Sequence, residues 1–209
     1  MKTALIVGAT GVVGKALVEL LCEDPRYQQI ILWVRRAVTF SHPKILVQQI
    51  DFDQLENITM PTVDEVFCAL GTTLKKAGSK AQFLKVDVQY PIALATLAKQ
   101  ANVPCFVFVS AIGANAQSNL FYYQAKGKAE QALTALQLNC LQIARPSLIL
   151  GERADFRLGE KIAAWLFKFL PASVLADYRP MTGQQIAEKL IEQAQDHQEK
   201  VKIYYPSKM

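Results

Sequence analysis

Residues 3–14 read TALIVGATGVVG, and the reading of this stretch decides the fold. Thr3 to Val7 is a short apolar run ending in glycine, the pattern of a strand buried on both faces. Val12 to Cys22 then places apolar residues at 13, 16, 17, 20 and 21, the spacing of one helix face. Between them lies Gly8-Ala9-Thr10-Gly11-Val12-Val13-Gly14, so the chain passes from strand to helix over a glycine turn. Glycines there permit a tight turn and let a diphosphate approach backbone N–H groups at a helix N-terminus, whose partial positive charge favours an anion. The spacing departs from the Gly-x-Gly-x-x-Gly dinucleotide fingerprint, so its place in the fold carries more weight than the string. The bland reading is a tight strand–helix connection with no ligand.

Working outward, Ile30 to Val34, Ile45 to Ile50, Val63 to Leu70 and Cys105 to Val109 are further compact runs rich in branched or aromatic residues, read as strands. Ala93 to Ala101 and Gln124 to Leu138 carry helical spacing between and after the last two. Leu141 to Ala144 reads as a sixth strand, Leu158 to Leu170 and Gln184 to Gln195 as helices, and Val201 to Tyr205 as a last strand. This alternation predicts an α/β fold: a doubly wound, mostly parallel sheet covered on both faces. Pro91 either begins the helix that ends at Gln100 or kinks a longer one.

At 209 residues, with 51% hydrophobic and 20% charged, the chain reads as one folded domain over 1–209, with 147–209 a small substrate-side segment. The net charge of +5 is spread without a basic tail, which argues against nucleic acid and membranes and suits a small phosphorylated ligand. A protein partner is compatible with this surface. Cys22, Cys68, Cys105 and Cys140 lie singly in or beside apolar runs without metal-ligand spacing, so they read as buried free thiols. Gly8, Gly11 and Gly14 interrupt the one stretch that could mimic a signal peptide, and a reducing cytoplasm is the expected home.

Two further patterns carry chemistry. Arg35 and Arg36 stand where an acidic residue would meet an unphosphorylated adenosine ribose, and guanidiniums there suit a 2′-phosphate, hence NADP(H) over NAD(H). Their bland reading is a solvated strand end. Tyr122 and Lys126, four apart at the start of a predicted helix, share a face and can form an acid–base couple, an ammonium favouring the phenolate. Ser110, ending the preceding strand, could orient a carbonyl oxygen. Tyr123 competes with Tyr122, and the bland reading is a packed tyrosine beside a surface lysine.

The glycine turn, Arg35-Arg36, Cys68-Ala69-Leu70-Gly71-Thr72-Thr73, Phe83, Val86-Asp87, Tyr90, Ser110, Tyr122 with Lys126-Gly127, and Arg145-Pro146 together resemble the atypical short-chain dehydrogenase/reductases. Among these the chain is similar, over nearly its whole length, to the Tat-interacting-protein oxidoreductase group, and Arg153 to Glu160 adds to the likeness. The resemblance implies an NAD(P)-binding Rossmann fold. Gly8, Thr10, Gly11, Val12 and Val13 would line the pyrophosphate, Arg35 and Arg36 the 2′-phosphate, Asp51 and Phe52 the adenine, and Leu70, Gly71 and Thr72 the ribose side. Pro146 would lie beside the nicotinamide. Ser110, Tyr122 and Lys126 would serve as carbonyl orienter, proton donor and ribose-binding activator.

One departure weakens turnover relative to binding: Ala111 and Ile112 stand where many active members carry the catalytic hydroxyl. The preferred reading is reduction of a small carbonyl substrate; the alternative is a non-catalytic NADPH-binding sensor or assembly factor. An epimerase or dehydratase ranks last, because few residues follow Pro146. His42 and His197 give no support for a metal, and Trp165, Phe167, Phe169, Asp155, Arg157 and Glu160 are candidates for the rim of a substrate pocket, with core or solvated loop as the bland reading.

Overall fold

A computed structural model of the protein describes residues 1–150, 179–196 and 198–208. The expected helix Leu158–Leu170, the rim candidates between Arg153 and Phe169, and His197 lie outside the described residues. Strand β1 (Lys2–Val7) leads through the glycine turn into helix α1 (Val12–Glu23), followed by β2 (Tyr27–Val34), β3 (Ile45–Gln49), a 3-10 turn over Phe52–Asn57 and β4 (Glu65–Cys68). A single helical turn α2 (Leu74–Ala77), then α3 (Lys80–Leu84) and α4 (Tyr90–Gln100), precede β5 (Cys105–Val109) and α5 (Phe121–Ala135). The described chain continues with β6 (Leu141–Ala144), β7 (Ile149–Leu150), β8 (Met181–Thr182), α6 (Gly183–Gln193) and β9 (Val201–Tyr204).

Seven strands form one parallel sheet in the order β3-β2-β1-β4-β5-β6-β9, and β7 and β8 pair separately, also in parallel. Alternation along each strand divides the core into two layers. Ala4 and Ile6 of β1 face Leu17 and Leu21 of α1 and Ile186 and Leu190 of α6, while Leu5 and Val7 face the layer containing Leu94 of α4 and Leu133 of α5. Both faces are therefore covered, as the uninterrupted apolar runs required.

Several predicted boundaries move. Helix α5 starts at Phe121, earlier than its apolar spacing indicated, and β4 is trimmed to four residues. The short β7–β8 pair is too brief to show periodicity. Pro91 belongs to a longer helical run: Lys80 to Gln100 is helical throughout, with a π turn over Lys85–Gln89 just before the proline. Tyr90 N–H reaches back to the Lys85 carbonyl, the wider spacing that relieves a helix where proline supplies no donor.

All four cysteines are buried. Two that are far apart in sequence meet: Cys105 and Cys140, at the start of β5 and just before β6, have sulfurs 3.2 Å apart. Burial pushes the Cys68 thiol up to about 12 and, with the neighbouring thiol foremost, raises Cys105 as well, so neither is a thiolate at neutral pH. Alkylation of the unfolded, unreduced protein should label four thiols by mass; two labels would show a Cys105–Cys140 disulfide.

Candidate functional site

The turn after β1 is held by close backbone contacts. Gly8 has φ +95°, and a Cβ there would lie 2.5 Å from the Ala69 carbonyl oxygen, just past β4. A Cβ on Gly14 would lie 2.1 Å from the Gly8 carbonyl oxygen, so α1 can start this close to the strand only without a side chain. Gly11 N–H donates to the Gly8 carbonyl at 3.0 Å, closing the loop.

This turn forms the floor of a cleft of about 420 Å³ at the C-terminal ends of the strands, where doubly wound sheets place their ligands. It brings together Gly8, Thr10, Gly11, Arg35, Arg36, Phe52, Leu70, Gly71 and Thr72, nine residues singled out from sequence, and adds Trp33, Val38, Lys76 and Val86 among others. Its charged wall consists of Arg35, Arg36 and Lys76, all exposed, with no carboxylate among its described lining residues. A glycine cradle beside the N-terminus of a twelve-residue helix, flanked by cations, fits a nucleotide diphosphate.

Other sequence-derived residues fall outside this cleft. Asp51 lines a neighbouring hollow with Arg35 and Phe52, and its carboxylate accepts the Asp53 N–H at 2.9 Å, capping the 3-10 turn. Val12 lines a second cleft on the α1 side. Val13 is buried in the core on the inner face of α1, so only its backbone is available to a ligand. Pro146 is buried, lines none of the described clefts, and accepts the Ile112 N–H through its carbonyl at 2.9 Å.

The Tyr122–Lys126 pair belongs to a polar cluster behind the cleft. Lys126 is 3% exposed, so it is not a surface lysine. Its ammonium lies 3.0 Å from Asp87 Oδ1 and donates to the Val109 carbonyl at 3.3 Å, above the Phe108 ring. Asp87, fully buried on the π turn, accepts the Thr72 N–H at 2.8 Å through its other oxygen, tying the cleft loop to α5. Burial works against the Lys126 ammonium, but Asp87, helped by Tyr122 and Cys68, outweighs it and holds the ammonium above the usual lysine value. Tyr122 is partly exposed and stacks edge-on to Phe83. Burial of its phenol pushes the group up, Lys126 opposes this, and Asp87 and Tyr123 reinforce it. The activating effect expected of the ammonium is thus overridden in the protein alone. Tyr123 packs its ring on Gly113, and its carbonyl accepts the Asn115 N–H at 3.0 Å, contacts that shape the loop before α5.

Ser110 is buried, and its hydroxyl donates to Glu130 Oε1 at 2.5 Å. Glu130 in turn takes a two-point contact from Arg145, which also donates to the Tyr205 hydroxyl at 2.8 Å. The one proton of Ser110 is therefore engaged by Glu130, in a position to brace β5, α5 and β6. Sequence reasoning assigned no role to Asp87, Glu130 or Lys76. The signal was available for Asp87 alone, as an acid set between Val86 and Val88; the partners of the others are set by tertiary contact.

Replacing Asp87 by Asn leaves a buried ammonium without its counter-charge, a loss of about 3–5 kcal/mol for a broken buried pair. Urea unfolding at pH 7 should show it, and adding Lys126→Met should recover most of the loss. Because the folded Lys126 value is raised above 10.5, the pair's stabilisation is complete below that pH and fades only as pH rises through the folded value. A wild-type contribution that disappears between pH 7 and 9 would contradict the assignment.

Residues 8–164 match the family described as NAD(P)H-binding. The chain is 32% identical to protein HTATIP2 of Rattus norvegicus over 182 residues, covering 85% of this chain and 75% of the relative. It is 32% identical to protein FMP52-1, mitochondrial, of Scheffersomyces stipitis, covering 95% and 90%. The solved structure of MoeE5 in complex with UDP-glucose and NAD shares the fold, with TM-score 0.73 at 15% identity, covering 96% of this chain and 74% of that one. The cytoplasmic expectation is withdrawn, because FMP52 relatives aligned along most of the chain are named mitochondrial. Isolated cysteines without a disulfide framework do not distinguish cytoplasm from mitochondrion. Among the described residues no helix is long and apolar enough to cross a membrane. With its glycine cradle, parallel sheet and these relatives, the chain belongs to the NAD(P)H-binding family that includes rat HTATIP2.

Proposed function

We propose that the protein is an NADPH-dependent oxidoreductase of the atypical short-chain type, reducing a small carbonyl compound. The observation that supports it most is the cleft itself: a glycine cradle at a helix N-terminus whose charged wall is cationic. Gly8, Thr10, Gly11, Val12 and the backbone of Val13 receive the pyrophosphate, and Leu70, Gly71 and Thr72 border the ribose. Phe52 and Asp51 border the adenine, and Pro146 backs the nicotinamide end. Arg35 and Arg36 pair with the 2′-phosphate. When bound, the reduced nicotinamide supplies a hydride.

Tyr122 gives its phenolic proton to the carbonyl oxygen. A phenol held up by burial stays protonated at neutral pH, which suits a donor. The Lys126 ammonium stabilises the phenolate that remains and serves the ribose hydroxyls, while Asp87 holds that ammonium in place. Ser110 can orient a carbonyl only if its hydroxyl leaves Glu130. That engagement, with buried Ala111 following it, favours the second reading: a protein that binds NADPH as a sensor or assembly factor without turnover.

NADPH consumption against aldehydes, ketones and quinones, run beside NADPH binding by fluorescence, separates the two. Consumption supports the reductase, and binding alone supports the sensor. Wild type should prefer NADPH to NADH. Replacing Arg35 and Arg36 together by Ala should erase most of that preference, each charge-assisted contact contributing about 1.5–3 kcal/mol. A wild-type preference for NADH would refute the 2′-phosphate assignment. Tyr122→Phe should lower turnover roughly 10²–10⁴-fold with little change in NADPH affinity, whereas Tyr123→Phe stays active.

A further inference from the structure

Lys76 is the one cation on the cleft wall that no sequence motif singled out. It rises from α2, a single turn fixed at both ends: the Thr73 hydroxyl accepts the Lys76 N–H at 3.2 Å, and Gly78 N–H closes on the Leu74 carbonyl at 3.0 Å. The loop leading into that turn is anchored by the Thr72 N–H on buried Asp87. The position of Lys76 is therefore built, although its side chain is exposed.

Its place differs from that of the arginines. Lys76 lines both the nucleotide cleft and the second cleft of about 470 Å³ on the α1 side, and the residues common to the two are Thr10, Gly11 and Lys76. Thr10 and Gly11 form the glycine turn at the start of α1. Arg35 and Arg36 line the nucleotide cleft without reaching this junction, and Arg35 borders the Asp51–Phe52 hollow instead. Lys75, next to Lys76, lines neither cleft. Among the described residues Lys76 makes no ion pair, so its charge is available.

We infer that Lys76 is a diphosphate-binding residue, meeting the pyrophosphate at the junction it shares with Thr10 and Gly11. The cleft then divides its cations by task. Lys76 contributes to any dinucleotide, and the arginines read the 2′-phosphate. This rests on the cofactor reading above and assigns a residue that reading does not use.

The test is a titration of wild type, Lys76→Ala and Lys76→Arg with NADPH, NADH and ADP, the last having a diphosphate but neither a 2′-phosphate nor a nicotinamide. Lys76→Ala should weaken all three by a similar factor, about tenfold at low salt for one charge-assisted contact, and the loss should shrink as salt rises. Lys76→Arg should keep most of the affinity. A loss confined to NADPH would move Lys76 to the 2′-phosphate and overturn the inference, as would unchanged affinity for all three. A wild type with no NADPH preference, weakened equally by Lys76→Ala for each ligand, would uphold Lys76 and refute the arginine assignment. A wild type that binds none of the three would overturn both. Unchanged urea midpoints establish that any loss is not misfolding.

Discussion

A carboxylate with no exposed surface, such as that of Asp87, has to be neutralised where it stands, because leaving it unpaired in a low-dielectric interior costs several kcal/mol. The Lys126 ammonium and the Thr72 N–H meet this demand, one on each oxygen. Three segments distant in sequence are drawn to one point as a result: the loop after β4, the π turn before α4, and the first half of α5. The cleft wall at Gly71 and Thr72, the placement of Lys76 beyond it, and the depth of Lys126 beneath Tyr122 all depend on this pair. The same low dielectric that makes the pair necessary makes it stiff, which suits a group that has to hold a reacting side chain in register.

The two ends of the sheet solve polar burial differently. At the base, Glu65 at the start of β4 is surrounded by the Lys2 ammonium, the Tyr27 hydroxyl and the Gln195 amide, a network that lines none of the described clefts. At the upper end the Ser110–Glu130–Arg145–Tyr205 chain braces α5 against β6, and elsewhere along the same edge Arg35, Arg36 and Lys76 are exposed on the cleft wall. Buried charge is matched within the protein at both ends, whereas among the described residues Arg35, Arg36 and Lys76 at the cleft make no ion pair. That asymmetry, with the glycine turn between, distinguishes a ligand-binding end from a structural one.

The alternation of apolar runs with helical spacing was legible because the inner strands β1, β4, β5 and β6 are buried on both faces and each long helix on one, so burial writes the period directly into the sequence. The glycine turn was legible for a similar reason: backbone contacts as short as those at Gly8 and Gly14 exclude every side chain, and the exclusion shows as residue type. Nine of the residues singled out by sequence meet in the cleft because they sit immediately after strands, and a parallel sheet brings all its strand ends to one edge.

What the sequence could not show is which polar groups pair across elements. Tyr122 and Lys126 share a helix face by spacing alone, but the burial that raises Tyr122 against the pull of Lys126, and the Asp87 charge that reinforces it, depend on how α5 packs against the π turn. Ser110 looks available from its place at a strand end, and only the packing of α5 on β5 delivers Glu130 to it. The approach of Cys105 to Cys140 likewise follows from the register of β5 with β6. By itself the sequence determined the layered fold and the nucleotide edge, since both follow from local period and residue size. Tertiary structure alone decided the charge partners and hence the working protonation of the site, because Coulomb interactions and desolvation act through space and leave no periodic trace along the chain.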